Sequence, residues 1–81
     1  MPERAMIKKH TYLFDTMAEK LGHDMQEHVE NHDLSMTEVA DAVLRCTKCR
    51  ASETCANRLA AEDALQNPPG YCQNIPLFLD L

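Results

Sequence analysis

All four cysteines of this chain, Cys46, Cys49, Cys55 and Cys72, lie in the stretch RCTKCRASETCANRLAAEDALQNPPGYC, spaced C-x2-C-x5-C-x16-C. A C-x2-C pair at a turn or helix end can bring two thiolates to one centre, the usual first half of a tetrahedral sulfur site. Cys55 can add a third sulfur from the first turn of the following helix, and Cys72 must return from a loop beyond it. The last histidine, His32, precedes every cysteine, so the pattern is not a two-histidine zinc finger. Four readings follow from the residues: an iron-sulfur cluster, a structural zinc, disulfides, or unligated thiols.

The chain is short, 81 residues, and a core of this size is thin, so a cross-link or metal would carry a large share of its stability. It reads as a single four-cysteine helical domain spanning residues 1–81. Its composition, 44% hydrophobic and 26% charged, argues against disorder. A net charge of -5 opposes binding to a nucleic-acid backbone, which needs concentrated Lys and Arg. The amino terminus lacks the apolar run of a secretory signal, and no segment reaches the roughly 18 apolar residues of a membrane span. The expectation is a cytoplasmic protein that engages neither membrane nor nucleic acid. In that reducing setting clustered cysteines favour metal over permanent disulfides.

Along the chain, Met6, His10, Leu13, Met17 and Leu21 recur every three or four residues, widened by Ile7 and Phe14. This predicts one amphipathic helix of about 18 residues, begun by Pro2 and Glu3 and stopped at Gly22. Asp24 is a candidate N-cap for a short second helix ending near Asn31 or His32. Ser35 and Glu38 make a capping box for a third helix that runs into Cys46, with Met36, Val39, Ala40, Val43 and Leu44 as its buried side. Ser52 is the expected N-cap of a fourth helix carrying Cys55 and Leu59. There, helix-start amides would lower the Cys55 thiol pKa and favour a thiolate. Pro68, Pro69 and Gly70 stop that helix, and IPLFLDL supplies a last turn or two lying on the core. No window shows strand alternation. The fold class is all-α, a compact bundle of four to five short helices.

The combination LG-x-D at Leu21 to Asp24, Leu34-Ser35, RC-x2-C at Arg45 to Cys49, C-x3-L at Cys55 to Leu59, YC-x-N at Tyr71 to Asn74 and a closing FLDL resembles a small alphaproteobacterial family, domain of unknown function 6455. The resemblance covers nearly the whole chain and is sharpest in the cysteine order with its YC-x-N end. It implies a compact helical protein centred on the four cysteines, and no activity. Members often carry Trp at the position of Arg58, so the resemblance implies that an aromatic wall beside the sulfurs is missing here.

Among the four readings the spacing favours an iron-sulfur cluster held by Cys46, Cys49, Cys55 and Cys72, serving electron transfer or redox sensing, with zinc in the same ligands as the alternative. Tyr71, Leu59, Ile75 and Phe78 are its expected shield. A non-enzymatic protein-interaction domain, stapled by zinc or disulfides and engaging a protein partner or a second copy, is the competing function. Catalysis is not expected. There is no phosphate loop, no G-x-S-x-G and no nucleophile with its base, and the adjacent Glu62 and Asp63 diverge on a helix. A Cys46–Cys49 redox pair lacks its strand-to-helix setting. His28 and His32 form an H-x3-H pair without the zincin glutamate and read as surface histidines, as does His23. His10 reads as a core-edge residue with a hydrogen bond.

Overall fold

The computed structural model describes residues 3–81, so Pro2 as a helix-starting residue lies outside the described residues. The chain forms α1 (Arg4–Lys20), α2 (Met25–Glu30), α3 (Met36–Cys46), α4 (Ser52–Ala61) and α5 (Ile75–Asp80). This is an all-α bundle of five short helices, and no strand occurs among the described residues. Among the described residues no helix is long and apolar enough to cross a membrane.

Local chemistry sets most of the boundaries. At the end of α1, Gly22 takes φ +87°, the left-handed region that glycine enters without a Cβ penalty. Its N–H bonds the Glu19 carbonyl at 3.0 Å, and the His23 N–H bonds Ala18 at 2.8 Å. The last carbonyls of the helix are thereby satisfied, as in a Schellman motif. The Asp24 side chain accepts from the Glu27 N–H at 3.2 Å. Both bonds of the capping box form at the start of α3, Glu38 N–H to Ser35 Oγ at 3.1 Å and Ser35 N–H to Glu38 Oε1 at 3.2 Å. The start of α4 differs from the sequence reading: Ala51 is the N-cap, no side chain caps it, and Ser52 is already helical.

Helix α1 is the centre of packing, contacting α3 and α4. Leu13, Phe14, Met17 and Ala18 of α1 meet Ala42 and Val43 of α3, Cys55 and Leu59 of α4, and Phe78 of α5. Phe78 stacks on Phe14 with ring centroids 5.4 Å apart, so α5 does lie on the core. The loop after α4 is tied to the end of α1 by Leu65 N–H donating to the Lys20 carbonyl at 2.8 Å.

The structure corrects the expected face of α3. Ala42 and Val43 are buried and Val39 is half-buried, while Met36 is 68% and Leu44 40% exposed and Ala40 is open. Apolar residues occupy more than half the circumference of this helix, and α1 covers only one side of it. The molecule is a slab of 32 × 31 × 17 Å, too thin for another layer over that face.

Candidate functional site

Two features stand out, a small pocket lined by thiols and an open apolar groove. The thiol pocket sits where α3, α4 and the carboxyl loop meet. Cys46 is the last residue of α3, and Cys49 follows in a turn closed by its N–H to the Cys46 carbonyl at 3.0 Å. Cys55 lies in the first turn of α4, and Cys72 follows the proline turn, its N–H bonded to Pro69 at 3.0 Å. All four side chains line one cavity of about 20 Å³, with Leu13, Phe14, Tyr71 and Phe78 among its walls. That is room for about one water molecule.

The sulfurs share this pocket, and three of the four have separate partners. Cys46 Sγ lies 3.4 Å from His10 Nδ1. Cys49 Sγ accepts from the Ala51 N–H at 3.4 Å and sits 3.9 Å from the Tyr71 carbonyl. Cys72 Sγ accepts from the Asn74 N–H at 3.5 Å. Burial disfavours the thiolate form of Cys46, Cys55 and Cys72. It is the main cause pushing Cys46 up to about 12, with Cys49, Cys55 and Cys72 adding to it. Burial also raises Cys55 and Cys72. Cys55, expected to be the readiest thiolate, is thus held protonated, since desolvation outweighs its place in the first turn of a helix.

These facts overturn the metal reading. Among the described residues no three His, Cys, Asp or Glu side chains group so as to hold a metal ion. Neither an iron-sulfur cluster nor zinc on Cys46, Cys49, Cys55 and Cys72 is supported. The disulfide staple is overturned as well, since all four cysteines are free.

His10 is 3% exposed, and burial, then Lys9, lowers its pKa. The His10 ring nitrogen Nδ1 and the Cys46 sulfur face each other at 3.4 Å, and the tautomer of the imidazole sets which of them donates. The Tyr71 hydroxyl is buried with no hydrogen-bond partner. Arg58, where the resemblance implied that an aromatic wall is missing, is exposed and pairs with Glu62 at 2.7 Å. His28 does not pair with His32. Its Nδ1 lies 3.1 Å from Asp33 Oδ2 and its Nε2 3.4 Å from His23 Nδ1, while His32 occupies a left-handed turn at φ 65°.

Sequence reasoning missed the work of Asn74, which is 2% exposed. Its Nδ2 donates to the Ala42 carbonyl at 2.9 Å, and its Oδ1 accepts from Arg45 Nε at 2.9 Å. One side chain therefore clamps the carboxyl segment to α3 beside the thiols. Its place in the YC-x-N motif was the available signal.

The second feature is the uncovered side of α3. Ile7 and Thr11 of α1 with Met36, Val39, Ala40, Val43 and Leu44 enclose a shallow groove of about 370 Å³. A second hollow of about 240 Å³ shares Met36 and Val39 and continues the surface to Met25 and Val29 of α2. The two form one apolar strip across three helices. Its signal was in the sequence too, as an apolar arc on α3 wider than one neighbouring helix can cover.

No curated protein and no solved structure matches the chain. The model of a family of unknown function, DUF6455, matches residues 1–81. With its five short helices and its YC-x-N end, the chain belongs to that family.

Proposed function

We propose that this chain is a non-catalytic protein-interaction module that docks an apolar protein surface along the strip formed by α1, α2 and α3. One observation carries the reading: Met36, Val39, Ala40, Val43 and Leu44 have the pattern of a buried helix face, yet Met36 and Leu44 are 68% and 40% exposed. Small proteins seldom leave contiguous apolar surface open without a partner for it, and a groove between helices suits a complementary apolar segment. The thiol pocket supports the same division of labour. Its sulfurs pack the junction of α3, α4 and the carboxyl loop, and burial disfavours at Cys46, Cys55 and Cys72 the thiolate that a nucleophile needs.

The test is methyl-resolved NMR of labelled protein titrated with synthetic amphipathic helices of apolar face and varied charge. Shifts confined to Met36, Val39 and Val43, and absent from Leu65 and Leu79, support the docking face. Uniform shifts, or shifts centred on the thiol pocket, refute it.

A further inference from the structure

We infer that Cys49 is a site of modification by a peroxide, its sulfur taking up one oxygen atom that the thiol pocket holds as a sulfenic acid. The surroundings of this sulfur set it apart from the other three. Cys49 lies half-buried in the turn between α3 and α4, and its Sγ accepts the Ala51 N–H at 3.4 Å. Ala51 is the N-cap of α4, so the amide aimed at the sulfur stands at the positive end of that helix. A backbone N–H so placed stabilises negative charge on the sulfur as it attacks, and the thiolate is the attacking form. At Cys46, Cys55 and Cys72 burial disfavours that form, and Cys46 is pushed up to about 12.

The pocket suits the product. Its volume of about 20 Å³ is room for about one water molecule, and so for one added oxygen. Cys49 and Tyr71 are both among its walls, and the Tyr71 hydroxyl is buried with no hydrogen-bond partner. Burial, then Cys55, raises the Tyr71 pKa, so the hydroxyl keeps its proton and is free to donate to an oxygen in that cavity. A buried donor left unpaired is costly, and the oxidised form supplies the acceptor that the thiol form lacks. In the step itself the Cys49 sulfur attacks one peroxide oxygen, and the S–O bond forms as the O–O bond breaks. Sulfur loses an electron pair to the peroxide, and the departing hydroxide takes up the proton that the thiol released and leaves as water.

The experiment treats the reduced full chain with hydrogen peroxide in the presence of a cyclic 1,3-dione, which labels sulfenic acids, and locates the label by peptide mass spectrometry. Wild type, Cys49→Ser and Tyr71→Phe are compared, with circular dichroism to check that each is folded. The expected result is a label on Cys49 about tenfold or more above that on Cys46, Cys55 or Cys72, and no rise at those three in Cys49→Ser. Tyr71→Phe keeps the ring and removes the donor, so its Cys49 label should fall about threefold. Equal labelling of the four cysteines, or a label centred on another of them, overturns the assignment from the wild type alone, whether or not the variants fold. Pairing of Cys49 with a neighbouring sulfur in place of the dione label overturns the oxygen-holding pocket, as does an unchanged label in folded Tyr71→Phe.

Discussion

Replacing Asn74 with Ala should remove a large part of this protein's stability without touching a hydrophobic core residue. The variant deletes the amide bond to the Ala42 carbonyl and the acceptor of Arg45 Nε, both 2.9 Å long, and leaves a gap where the side chain was buried. A neutral buried hydrogen bond contributes about 1 kcal/mol. The bond from the Arg45 guanidinium is worth about the same once its solvent exposure is allowed for. Lost packing adds about 1 kcal/mol more. The sum, ~2–4 kcal/mol, is large against the ~4–12 kcal/mol expected for a chain of this length. Urea titration followed by circular dichroism at 222 nm should show the lost stability, with a fall in Tm of ~10–25 °C. Arg45→Ala alone should cost about 1 kcal/mol and add little on top of Asn74→Ala, because the two remove the same bond. A cost for Asn74→Ala under about 1 kcal/mol, or strict additivity with Arg45→Ala, would refute the clamp.

Other expectations concern pH and caps. The folded Cys46 thiol keeps its proton to about 12 while the unfolded one ionises near 9.0. The folded state therefore binds more protons between these values, and stability, full below pH 9.0, falls as pH rises, by at most about 1.4 kcal/mol per unit for one thiol. Cys46→Ala should flatten that alkaline slope in pH-dependent urea unfolding. His10 has the opposite sense. Its folded pKa lies below 6.5, so the unfolded state takes the proton first, and stability, full above 6.5, declines as pH falls below it; His10→Gln should reduce the dependence. Ser35→Ala breaks the capping box and should cost about 1 kcal/mol by thermal unfolding, whereas an unchanged Tm would mean that the cap contributes nothing. Gly22→Ala has open space for its Cβ but a φ of +87°, so a loss of about 1 kcal/mol should come from backbone strain alone.

What was legible in the sequence was mostly local. Gly22, Asp24 and the Ser35–Glu38 box announce their boundaries because each acts within a few residues, whereas α4 ends at Ala61, before the Pro68–Gly70 turn expected to stop it. The gathering of Cys46, Cys49, Cys55 and Cys72 round one pocket followed from the order of helix, turn and loop. Their state did not, because it depends on desolvation and on partners remote in sequence. His10 lies 36 residues from Cys46, and the Asn74 clamp reaches back 32 residues to Ala42. Spacing alone cannot tell thiolates aimed at a shared ion from neutral thiols facing a shared cavity. The face of α3 was misjudged for a similar reason. Helical periodicity identifies apolar residues, but only the thickness of the fold decides how many of them find cover.

The most direct test of the central claim is solvent protection at the α3 strip when a synthetic amphipathic helix is added. Hydroxyl-radical footprinting read by mass spectrometry would follow Met36, whose side chain is 68% exposed in the single chain. Leu79, 61% exposed on α5, serves as the internal control. The account predicts that Met36 becomes protected relative to Leu79 as the helix is added, with Leu44 following it. Met36 remaining as reactive as Leu79 at every helix concentration would contradict the account.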